Sequence, residues 1–130
     1  MDKITMKRYK ESLRHDENAS FYNELEKHTS PLRLCAHDMV ECIDHLAIQT
    51  NELHALRQSY AQLEEMPVKG LHRGIETINT EFSNINLIAD ENNVTSFRQR
   101  QLAIFFKQQN KFNTEANLLV KKAMQMERLN

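Results

Sequence analysis

Three successive stretches of this chain place apolar residues at alternating spacings of three and four. The first runs Leu32, Cys35, Met39, Cys42, Leu46, Gln49, Leu53, Leu56, Tyr60 and Leu63, with Gln49 its one polar member. The second runs Val68, Leu71, Ile75, Ile78, Phe82, Ile85, Ala89 and Asn92. The third runs Leu102, Phe105, Gln109, Phe112, Ala116, Leu119, Ala123 and Met126. This spacing keeps one side of an α-helix apolar and suits packing of helix on helix. A strand would need a period of two. The expected fold class is therefore all-α: a bundle, or an antiparallel hairpin, of long amphipathic helices with coiled-coil-like heptad packing.

Composition agrees. Two Gly and two Pro in 130 residues are too few for an all-β or loop-rich fold, and 40% hydrophobic content is too high for a disordered chain. The length fits one helical domain over residues 1–130. Elongated helices bury less surface than a compact fold, so self-association into a homo-oligomer, or a partner, is expected to complete the core.

Local signals divide the chain. Residues 1–30 read as short helices, one lined by Ile4, Met6, Tyr9 and Leu13 and one started by Ser20 and carrying Phe21, Leu25 and His28. Ser30-Pro31 is a start signal, since Ser accepts from free N–H groups and Pro fits a first turn. Pro67 is a stop. The reading gives one long helix over 31–66, a turn at Pro67 and Gly70, and a second helix over 68–92. Asp90-Glu91-Asn92-Asn93 looks like a helix end, and Ser96 with Gln99 matches a capping box that starts a third helix over 96–129. The heptad phase slips by one residue there. A break between the second and third helices is the favoured reading. The alternative is one long hairpin folded at residues 67–70.

The N-terminal stretch MDKITMKRYKESLRHDE is charged throughout and shows no signal-peptide core. No stretch approaches the ~20 apolar residues of a membrane span. A cytoplasmic location is expected. Cys35 and Cys42 are seven residues apart on one expected helix, or ~10.5 Å of rise, too far for a disulfide. They read as buried thiols of a reducing compartment.

Charge is unevenly placed. Residues 31–66 carry −4, residues 67–94 carry −2, and residues 95–130 carry +5. A basic last helix beside acidic neighbours predicts intramolecular charge pairing that helps choose which helices meet. A second reading uses position. Arg100, Lys107, Lys121 and Arg128 share one heptad phase opposite the apolar seam, and Lys111 joins them. Ile104 and Leu118 lie two turns either side of Lys111 on one line beside that basic stripe, while Phe106 and Val120 widen the apolar arc. Mixed apolar and basic helix faces are used in helix-in-groove recognition. The candidate partner-binding residues are Arg100, Ile104, Lys107, Lys111, Leu118 and Lys121. Ile48 and Leu87, also off the seam, are expected to face outward.

Candidate chemistry is sparse. His37, Glu41 and His45 stand at i, i+4 and i+8 and so share one side of a helix. Bundle metal sites draw on such spacings, but they pair Glu-x-x-His from two helices, and Glu41 is followed by Asp44 instead. Surface ion pairs account for these residues more simply. No HExxH, Gly-rich phosphate loop or GxSxG occurs. The expectation is no enzyme, no cofactor and no metal. The expected function is a protein–protein interaction module (an adaptor, a secretion or assembly chaperone, or a structural coiled-coil component) whose partner is another, acidic protein. The alternative is a nucleic-acid-binding or regulatory protein using the basic C-terminal helix. It is weakened by a net charge of −1 and the absence of a DNA- or RNA-reading motif. A metal-binding helical bundle is the third reading.

Overall fold

The computed structural model describes residues 19–85, residue 87 and residues 96–129. The described chain is all-α. Residues 19–26 are helical (α1). They are followed by α2 (Ser30–Asp44), α3 (Asn51–Glu65), a 3₁₀ turn at Val68–Gly70, α4 (Leu71–Ser83) and α5 (Ser96–Leu129). The expected helix lined by Ile4, Met6, Tyr9 and Leu13 lies outside the described residues.

The helices form an up-down-up-down bundle. α2 packs on α3 and on α5, and α3 packs on α4. Arg33 meets the end of α3 while Asp44 meets Arg57, so α2 and α3 run antiparallel. Ser59 bonds Glu81 at 2.7 Å, and a Cβ on the buried Gly74 would lie 3.0 Å from Leu63 Cδ1. α3 and α4 are therefore also antiparallel, and they approach closely where glycine leaves room. α5 runs antiparallel to α2: Cys35 faces Glu115, and Leu46 and Ile48 meet Gln101 and Leu102.

The expected helix over 31–66 is two helices. α2 stops at Asp44, six residues intervene, and α3 starts at Asn51. The cause is local capping. Gln49 Nε2 donates to the carbonyls of Ile43 (3.1 Å) and Leu46 (2.9 Å) at the end of α2. Thr50 is extended and its hydroxyl accepts from the Leu53 N–H at 3.1 Å, while Glu52 adds an acid to the first turn of α3. The seam phase survives the turn because each helix keeps its own apolar stripe. The expected helix over 68–92 is shorter as well. It ends at Ser83 with Asn84 as its C-cap, whose N–H reaches the carbonyls of Glu81 and Phe82. Asn84 and β-branched Ile85 are weak helix formers. The end signal read at 90–93 lies outside the described residues. α5 keeps its expected span.

The core is the seam with additions. Leu32, Met39, Leu46, Leu53, Leu56, Tyr60, Leu63, Leu71, Ile78, Phe105, Phe112, Ala116 and Leu119 are buried, as is polar Gln109. Ala36 and Ile43 are also fully buried, which the heptad alone does not give. α2 has neighbours on two sides, so its buried stripe widens, and Cys35 and Cys42 end up half-buried on its flank rather than fully enclosed. Leu25 of α1 is buried against the same cluster.

Arg33 ties three helices together. Its guanidinium donates to the Leu63 and Glu64 carbonyls at 3.0 and 2.9 Å, so it caps the end of α3. It also donates to the buried Thr29 hydroxyl at 3.2 Å and to the Glu26 carboxylate at 3.1 Å. Thr29, not Ser30, is the residue that precedes the first helical position of α2.

Candidate docking face on the last helix

α5 has 34 residues, ~51 Å of helix, against 15 or fewer in each of α2, α3 and α4. It needs only one side to pack on shorter neighbours, and the rest of its surface meets solvent. Arg100, Ile104, Lys107, Lys111, Leu118 and Lys121 are all exposed, and their spacing places them together on the side away from Phe105, Gln109 and Phe112. Ile104 is 46% exposed and Leu118 is 53% exposed. Five of the six large apolar residues that remain exposed in the described chain belong to α5; the other is Leu34. The side chain of Arg128 lies outside the described set.

Among the described residues no ion pair of the kind expected joins the basic helix to an acidic neighbour, although Lys122 lies near enough to Glu24 of α1 to help lower its carboxyl pKa. The ion pairs among the described residues join residues of α1 to α4 and the turn after α1, and none involves Arg100, Lys107, Lys111 or Lys121. α5 packs on α2 through apolar contacts, and Arg100, Lys107, Lys111 and Lys121 are exposed.

Ile48 and Leu87 do not project outward as expected. Ile48 lies in the connector between α2 and α3, and with Leu46, Leu87 and Leu102 it closes a small apolar pocket at one end of the bundle. Both are half-buried.

The His37, Glu41 and His45 series does not converge. His37 Nδ1 meets Glu64 of α3 at 2.6 Å and Nε2 meets Glu41 at 3.2 Å. His45 Nδ1 turns back to the Glu41 backbone carbonyl at 2.7 Å. The hydrogen bond and charge of Glu64, reinforced by Glu41 and Asp38, raise the His37 pKa. Among the described residues no group of three His, Cys, Asp or Glu side chains is placed to hold a metal ion. The thiols of Cys35 and Cys42 are pushed up in pKa by burial first and by nearby carboxylates second. No helix among the described residues is long and apolar enough to cross a membrane.

Two features escaped the sequence reading. Arg33 carried no motif, and only its place four residues after Thr29 hinted at a role. The second is the capping role of Gln49, which read as the one polar member of the first seam. Comparison with known protein families, with characterised proteins and with solved structures finds no match for this chain.

Proposed function

We propose that the chain is a non-catalytic protein–protein interaction module that docks an acidic, amphipathic segment of a partner on the outward face of α5. One observation carries this reading: four exposed cations alternate with exposed Ile104 and Leu118, and the cations have no ion-pair partner among the described residues. Cations spread over ~32 Å of helix raise the local potential and steer an acidic partner. The two apolar side chains supply contact area that charge alone lacks. Thiols left free rather than paired fit a reducing compartment such as the cytoplasm.

The test separates binding from folding. Ile104→Asp, Leu118→Asp and the double reversal Arg100→Glu with Lys107→Glu are measured for thermal melting and for binding to a synthetic Glu- and Leu-rich amphipathic helical peptide. Unchanged melts with lost binding support the proposal. Binding unchanged in every variant overturns it, as does preference for duplex DNA over the peptide.

A further inference from the structure

We propose that Met66 is a site of reversible oxidation, and that its sulfoxide loosens the turn between α3 and α4. The starting point is where the glycines stand. Gly70 and Gly74 are the only two glycines in the 130 residues. Neither has a positive φ, so the backbone requires glycine at neither place. Gly70 closes the 3₁₀ turn and Gly74 lies inside α4, where glycine is a poor helix former. What these two positions supply is room.

Met66 fills that room. A Cβ on Gly70 would lie 3.1 Å from the Met66 Cγ and 3.2 Å from its sulfur. A Cβ on Gly74 would lie 3.0 Å from the same sulfur and 3.2 Å from the Met66 Cε. The side chain thus runs along both glycines, with its sulfur against each. Met66 is also the C-cap of α3, in extended backbone ahead of Pro67. The turn that follows is closed by the Gly70 N–H donating to the Pro67 carbonyl at 2.8 Å. Lys69 of this turn lies over the Tyr22 ring of α1, 5.3 Å from its centroid. One thioether therefore fastens the turn where α3 passes to α4.

Exposure sets Met66 apart from other methionines. Met39 is fully enclosed, while Met124 is 49% exposed and lies outside the core cluster. Met66 is half-buried: solvent reaches it, yet it packs on the core. With a peroxide as oxidant the step balances. The sulfur lone pair forms an S–O bond as the O–O bond breaks. The proton of the transferred oxygen passes to the departing hydroxide, and water leaves. Sulfur gives up the two electrons that the peroxide gains. The product is a polar, chiral group in place of an apolar one. Its added oxygen has no space between the sulfur and the two glycines, and burying it without a hydrogen bond is unfavourable. The side chain swings out, and the glycines face a void that no neighbour fills.

The test treats the full chain with dilute hydrogen peroxide, then with dithiothreitol, which restores the thiols of Cys35 and Cys42 but not a sulfoxide. Peptide mass spectrometry locates the added oxygen, and circular-dichroism melts follow stability. Met66→Leu, an apolar swap of similar volume, is treated alongside. Wild type should gain oxygen at Met66 and melt ~5 °C or more below the untreated protein. Methionine sulfoxide reductases with a dithiol should restore the melt, as the two thiols become a disulfide and the oxygen leaves as water. Oxidised Met66→Leu should melt as it does untreated. Across partly oxidised wild-type samples, the drop should follow the sulfoxide fraction at Met66 and not that at Met124 or Met126. Oxidation of Met124 that leaves Met66 unmodified overturns the proposal. So does Met66 sulfoxide with an unchanged melt, an equal drop in Met66→Leu, or a drop that follows Met124 or Met126.

Discussion

Tyr60 of α3 donates its hydroxyl to the Gln109 side-chain oxygen of α5, and both residues are buried in the core. Gln109 passes the chain on, donating to Asn113 at 3.1 Å, and the Tyr60 ring stands edge-on to Phe112 with centroids 5.0 Å apart. Burial holds the Tyr60 hydroxyl protonated, well above the ordinary tyrosine range. A buried polar pair of this kind selects one register of α3 against α5, because any slip leaves both groups unpaired.

Breaking half of that pair should cost more than removing it whole. Tyr60→Phe strands the Gln109 oxygen, and Gln109→Leu strands the Tyr60 hydroxyl; each should destabilise by ~1–3 kcal/mol. The double variant should cost less than the sum of the singles. Denaturant unfolding of all four proteins checks this, and strict additivity would show that the bond contributes nothing specific.

Arg33 should be the most sensitive charged residue. Its side chain is only 18% exposed, and its loss frees the last carbonyls of α3 and the Thr29 hydroxyl at once. Arg33→Ala should cost ~2–4 kcal/mol, since hydrogen bonds to charged groups exceed neutral ones. Arg33→Lys should recover little, because an ammonium cannot fork to two carbonyls and a hydroxyl together. Melting temperatures of the three proteins decide it. A Lys variant as stable as the wild type would reduce Arg33 to a simple point charge.

His37 should make stability depend on pH in one direction. Glu64 holds its folded pKa above the ordinary value of 6.5, so the folded protein binds the proton more tightly than the unfolded chain. The His37 contribution is fully present below pH 6.5 and is lost as the pH rises through the raised value. Asp44, held low by Arg57, acts oppositely: its contribution is present at neutral pH and is lost as the pH falls through its depressed value. Melting curves of wild type and His37→Gln across this range should diverge at acid pH and converge at alkaline pH. A gap that widens with rising pH would contradict the assignment.

The core and the thiols make a paired prediction. Leu53 and Leu56 are fully buried, so truncating either to Ala should cost ~2–5 kcal/mol. Ile48→Ala should cost less, because Ile48 is half-buried at the rim. Cys35 and Cys42 should react with a soluble thiol reagent more slowly than in unfolded chain, since their pKa values are raised and the reactive thiolate is scarce. Labelling at the unfolded rate would place both thiols at the surface.

The heptad made the helical class and most of the core readable, because burial on one side of a helix leaves a periodic trace. It did not reveal the turn at 45–50. The phase happens to carry across six residues, and the signals that end α2 and start α3 are side-chain caps. Gln49, the one polar member of the first run, was the visible clue, and it serves as a cap rather than a seam residue. Ala36 and Ile43 were missed for a related reason: a heptad describes one neighbour, and α2 has two. The exposure of the six candidate docking residues was legible because on a long helix it follows from phase alone. What the sequence could not supply was the absence, among the described residues, of ion pairs between α5 and its acidic neighbours, which depends on how far apart packing holds them.

A titration at two salt concentrations tests the docking role of α5 most directly. The full chain is bound to the acidic amphipathic peptide and, separately, to a scrambled peptide of the same composition without an apolar stripe. The amphipathic peptide should bind more tightly, added salt should weaken it, and reversal of Arg100 and Lys107 should abolish the salt dependence and most of the affinity. Equal binding of both peptides, or binding that survives the reversal unchanged, would contradict a docking role for the outward face of α5.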